Sequence, residues 1–177
     1  MKNIFKFLCT IPFLGMTACS SSSLIDTTTV RELDLRRFSG DWYEIARFDH
    51  SFERGLTGCK ANYTIQENGS IKVTNSGHKR TLDGKYHESV GKARRPDDSI
   101  PGKLEVSFFW FFYSDYYVLE LADDYRYALI GSSSDDYLWL LSRTPRMEKE
   151  DVMYVLQRAE ARGYDIANLL WIEQKTE

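Results

Sequence analysis

Between Gly40 and Arg143 the chain repeats one kind of unit: a short run with strand-type alternation, then a cluster of turn-forming residues. The runs fall near 42–49, 58–67, 70–80, 85–94, 103–110, 115–122, 126–131 and 137–143. Asn68-Gly69 and Asp83-Gly84 supply positive φ for tight hairpins, while Pro96-Asp97-Asp98, Asp123-Asp124 and Ser132 to Asp136 supply side chains that cap their own backbone. Strands joined by hairpins are antiparallel. Eight of them without an internal repeat predict a mainly β fold, an eight-stranded antiparallel up-and-down barrel with room inside for one ligand.

Barrel closure brings the first strand beside the eighth. The first opens in GDWYEIAR, where Gly40 permits a tight turn and Trp42 follows; the eighth ends in LLSR at Arg143. Trp42 and Arg143 therefore share one end of the barrel. A guanidinium laid over an indole face contributes roughly 0.5 to 2 kcal/mol and plugs that end, a structural role. Beyond Arg143 the period becomes helical. Thr144-Pro145 resembles an N-cap with proline at the first helical position, though a start nearer Glu148 also fits. Val152, Val155, Leu156 and Ala159 form an apolar stripe and Gly163 a stop, predicting one C-terminal α-helix against the barrel, then a short strand at Leu170-Trp171-Ile172.

The N-terminus reads as processing information. Lys2 and Lys6 precede an apolar run, Phe7 to Met16, too short to span a bilayer, and Met16-Thr17-Ala18-Cys19 closes it like a lipobox. Residues 1–18 are predicted to be a signal peptide, Cys19 an acylated anchor, and residues 19–33, polar and aperiodic, a flexible tether joining the barrel at its closed end. Cys9 leaves with the leader, so Cys59 is the one thiol of the folded domain and no internal disulfide forms.

Three blocks in fixed order, GDWYEIARFDHSFERG from Gly40, DDYRYALIG from Asp123 and DYLWLLSRTP from Asp136, resemble the lipocalin family, and within it the outer-membrane lipocalins of bacteria. The likeness runs from about Leu35 to the C-terminus. It implies a lipocalin-like calyx over residues 34–177, with Gly40, Trp42 and Arg143 as its structural signature. It also implies a homodimer held in the outer membrane of a Gram-negative bacterium, facing the periplasm. The implied ligand is a lipid with one long acyl chain, a fatty acid such as palmitate or a lysophospholipid, stored or transported for envelope maintenance.

The residues themselves bound the alternatives. A formal charge of −3, more negative once Lys2 and Lys6 are gone, argues against nucleic acid and against docking by charge on anionic lipid. No cofactor or metal motif is present, and His50, His78 and His87 have no partner at ligand spacing. An enzyme built on Cys59, or a structural barrel filled by its own side chains, are the competing readings. From Phe108 to Tyr117 eight of ten residues are aromatic, in what reads as a connection at the open end. Phe108, Trp110, Tyr113 and Tyr116 are thus candidate ligand contacts, and the exposed Phe109 to Phe112 a candidate dimer or membrane surface. Parity with Arg143 turns Trp139 and Leu141 inward, and parity with Trp42 turns Glu44 inward, while Glu120 is left ambiguous.

Overall fold

A computed structural model describes residues 25–175; the leader, Cys19 and the first half of the tether lie outside the described residues. Eight strands form the wall: β1 (Gly40–Phe48), β2 (Leu56–Ile65), β3 (Ile71–Lys79), β4 (Tyr86–Arg94), β5 (Lys103–Phe109), β6 (Phe112–Leu121), β7 (Tyr127–Gly131) and β8 (Leu138–Ser142). Each pairs antiparallel with the next, and β1 closes the barrel by pairing with both β8 and β2. β2 holds β1 only from Gly40 to Tyr43; above that, β9 (Leu169–Trp171) takes the vacated edge opposite Ala46 to Phe48. The Gln174 side chain seals the split by donating to the Glu44 and Cys59 carbonyls.

The lower end is closed as the sequence implies, with one element added. Arg143 Cζ lies 3.8 Å from the centre of the Trp42 ring, and Trp42 is fully buried. Beneath them sits a short helix, α1 (Leu35–Phe38), capped by Asp34 accepting from the Arg36 and Arg37 amides. Its Phe38 ring packs at a tilt against Trp42 and Tyr63, and Trp42 Nε1 donates to the Phe38 carbonyl at 2.8 Å. Arg143 donates to the Asp41, Arg37 and Phe38 carbonyls, so one guanidinium serves the ring and the C-terminal end of α1 together. Gly40, at φ +92°, makes the turn from α1 into β1.

A second apolar cluster lies outside the barrel, where α2 (Lys149–Ala161) packs Val155 and Ala159 beside Leu129, Leu138 and Leu140. The helix starts after Glu148, the later of the two expected starts, because Thr144 is spent in a turn, donating to the Arg146 carbonyl. It stops at Gly163, φ +93°. Glu120, ambiguous by parity, faces out and is gripped by Arg158 and Arg162 of this layer.

Three expectations need correction. Residues 26–33 are not a free tether: the Asp26 amide donates to the Arg162 carbonyl, Val30 to Val118, and Leu33 is buried. Their polar side chains hid a backbone that must pair, and Arg162 supplies donors to the Asp26 and Thr28 carbonyls. The segment passes the lower part of β6 and then runs across the base, where the Leu33 carbonyl accepts from Arg95 and the Asp34 amide donates to the Tyr125 hydroxyl. In the β3–β4 turn the positive φ belongs to Arg80, not to Gly84. Gly84 is required there because a Cβ would stand 1.9 Å from the Lys79 carbonyl oxygen. Finally, the aromatic run is less a connection than the upper half of the β5–β6 hairpin.

Replacing Arg143 by Ala should destabilise the domain by about 1 to 3 kcal/mol in urea unfolding, with ligand preference little changed. A large change in affinity at unchanged stability would contradict a purely structural role.

Candidate functional site

The barrel is not filled by its own side chains. A cavity of about 620 Å³ opens at the end opposite Arg143, of a size suited to one small molecule. Its walls follow pleat parity: Val73 from β3, Val106 and Phe108 from β5, Tyr116 from β6 and Trp139 from β8 all line it. Tyr113 lines it near the mouth, its ring also covered by Arg94 at 3.9 Å. Trp110, expected as a ligand contact, is not a wall residue. It stands at the hairpin tip, with its ring away from the cavity and its backbone in the left-handed region at φ +52°.

Below this cavity is a polar floor. Glu44 faces inward as parity implied, but lines a smaller hollow beneath the main chamber and accepts a hydrogen bond from Arg47. A bulge between Glu44 and Ala46 breaks the alternation of β1 and sets Arg47 beside Glu44. Arg47 is almost fully buried, donating to the Glu53 and Leu56 carbonyls and lying 3.7 Å from Cys59 Sγ. Glu53 folds in from the β1–β2 loop, its carboxylate 3.0 Å from His50 Nε2 and accepting from Trp139 Nε1 at 3.1 Å. Tyr63 and Tyr116 share a hydroxyl–hydroxyl bond of 2.6 Å alongside.

These contacts divide the charge. Burial, then repulsion from Glu53, pushes the Glu44 carboxyl up to about 8 against the pull of Arg47. Burial also opposes charge on Glu53, but His50, Trp139 and Arg47 outweigh it and hold this carboxyl below its ordinary value. The floor thus pairs one guanidinium with one firmly ionised carboxylate. Arg47, His50 and Glu53 were missed in the sequence because the bulge leaves no local mark and Arg47 is off parity with Trp42.

Cys59 is buried and does not line the main cavity. Burial, then the Glu44 charge, pushes its thiol up to about 12, far from a nucleophile at neutral pH. Among the described residues no three His, Cys, Asp or Glu side chains gather as metal ligands.

The rim is aromatic. Phe109, Trp110, Phe111 and Phe112 are 75%, 83%, 70% and 71% exposed. Across the mouth, the exposed Phe52 stacks on His50 at 3.9 Å, and Tyr137 on Trp139 at 5.9 Å, carrying an aromatic face from the rim to the floor.

Comparison with known proteins matches this architecture. A family model described as a lipocalin-like domain fits residues 33–174. The chain is 38% identical over 176 residues to the outer membrane lipoprotein Blc of Vibrio cholerae, covering 99% of this chain and 100% of that protein. It is 39% identical over 165 residues to Blc of Escherichia coli K12, covering 93% of each. Apolipoprotein D of Mus musculus is 31% identical over 186 residues, covering 98% of this chain and 96% of that protein. Among solved structures, insecticyanin from Manduca sexta superposes with a TM-score of 0.68 at 20% identity, over 85% of each chain, a likeness of fold.

A carboxyl that titrates near 8 folded and near 4.5 unfolded holds an extra proton in the native state between those values. Its contribution to stability is full below about 4.5 and lost as pH rises through about 8. The stability of the parent relative to Glu44→Gln should therefore fall across that window, read as urea midpoints at successive pH. A difference that is flat or rises with pH would contradict the assignment.

Proposed function

The chain belongs to the lipocalin family, and from that premise we propose that it is a lipoprotein of the outer membrane, anchored through Cys19 and facing the periplasm, that binds one lipid with a long acyl chain. The ligand is a fatty acid such as palmitate, or a lysophospholipid, stored or carried in maintaining the envelope. The observation that carries this reading is the 620 Å³ chamber with Val73, Val106 and Phe108 on its walls and one open end. Blc relatives that match over nearly the whole chain are outer membrane lipoproteins, which supports the location.

The polar floor orients the ligand. A carboxylate or phosphate pushed down to Glu53 would meet a like charge, so the acyl chain enters first and the headgroup stays at the mouth. A chain of about 16 methylenes gains roughly 13 kcal/mol on burial, most of it offset by association and ordering, which leaves micromolar to nanomolar binding. The buried, high-titrating thiol of Cys59 favours binding over an enzyme built on that residue.

Titrating the delipidated protein with lysophospholipid should give a saturable change in tryptophan emission, because Trp139 lines the chamber. Absence of a saturable change would reject the reading. Trp139→Ala should weaken binding about tenfold or more while the far-ultraviolet spectrum of the barrel persists. Equal loss of fold and binding would make Trp139 core alone.

A further inference from the structure

We propose that the tip of the β5–β6 hairpin, Phe109 to Phe112, inserts into a phospholipid bilayer and docks the mouth of the calyx on the membrane. The inference rests on the lipid-anchored reading above for the position of the anchor, and adds where the barrel meets the lipid surface.

The tip is built as a free apolar blade. β5 pairs with β4 only at Ser107 and below, and β6 pairs with β7 only from Tyr117 down, so the backbone of the ribbon between pairs with neither neighbour. From Val106 to Ser114 it carries no charged residue, and four successive rings point to solvent. Trp110 holds the left-handed conformation at φ +52°, where Gly or Asn would be less strained, so the exposed indole is kept at a conformational cost. Tryptophan suits the boundary between headgroups and acyl chains.

Charge and depth agree with that boundary. Lys92 and Arg94 of β4 lie over the Tyr113 ring at 5.5 and 3.9 Å, one of them, Arg94, also paired with Glu105. Lys92 is in register with Ser107, so the tip projects three residues beyond it, about 10 Å at ~3.3 Å per residue. That matches the roughly 5 to 10 Å to which interfacial segments sink, with the cations left at the level of the phosphates.

The chain's path allows the same orientation. Asp26 is held by Arg162, which itself donates to the Leu119 carbonyl, so the N-terminal segment leaves the barrel at the level of Leu119. Leu119 is about 23 Å below Phe112 along β6, and less in height because barrel strands tilt. Cys19 lies six residues before Ile25, a stretched reach of about 21 Å. Anchor and tip therefore reach one plane. The four exposed rings, of about 150–250 Å² each and already partly shielded, offer roughly 600 Å² to the bilayer.

The test uses the full-length acylated protein in vesicles of phosphatidylethanolamine and phosphatidylglycerol whose acyl chains carry bromine. The emission lost on Trp110→Phe should be the component that bromine quenches, and the Trp110→Ser/Phe111→Ser variant should lose that quenching while still binding lysophospholipid. Quenching without lysophospholipid binding would uphold the docking and sink the carrier reading instead. An unquenched Trp110 component overturns the proposal, whether the indole is in water or covered by a second copy, which cross-linking would distinguish.

Discussion

Everything in this molecule depends on one end of the barrel being shut. An eight-stranded barrel has two mouths, and a sheet closed on itself has no edge left to cover them. Here the guanidinium of Arg143 covers Trp42, whose indole is in turn locked to the carbonyl of Phe38, and the same guanidinium ties down the end of α1. The contact joins the first strand to the last, so it fixes the register of closure as well as blocking the base. With that end sealed, apolar side chains from β3, β5 and β8 converge on a chamber with a single exit.

The chamber then stands between two polar zones of different kinds. Beneath it, Glu44, Arg47, His50 and Glu53 are buried and held to one another, to the Glu53 and Leu56 carbonyls and to Trp139. Removing one partner from such a network leaves the other's charge buried and uncompensated. Above it, the mouth is ringed by aromatic side chains with cations set one step back. On the function proposed above, an amphiphile lies in that order with its acyl chain inward and its head at the mouth.

The barrel and much of its wall were legible in the sequence because the strand period is two and turn residues carry their own chemistry. Trp139 and Glu44 were placed inward by counting from Arg143 and Trp42. The count fails wherever geometry departs from the ideal pleat. One bulge in β1 turned Arg47 inward unseen and with it the whole floor. α1 is a single turn, too short for a period, and residues 26–33 pair through backbone groups that side-chain polarity does not reveal. Trp110 was assigned to the ligand because aromatic density was legible while the hairpin's two-residue tip was not.

The central claim is that an acyl chain lies along the wall of the chamber, between the mouth and the floor. Nuclear Overhauser contacts between the methylenes of a bound lysophospholipid and the protein would test it most directly. The account predicts contacts to Val73, Val106 and Phe108, with the terminal methyl nearest Trp139 and Tyr116. Contacts confined to Phe109 through Phe112 would place the lipid on the rim and contradict it.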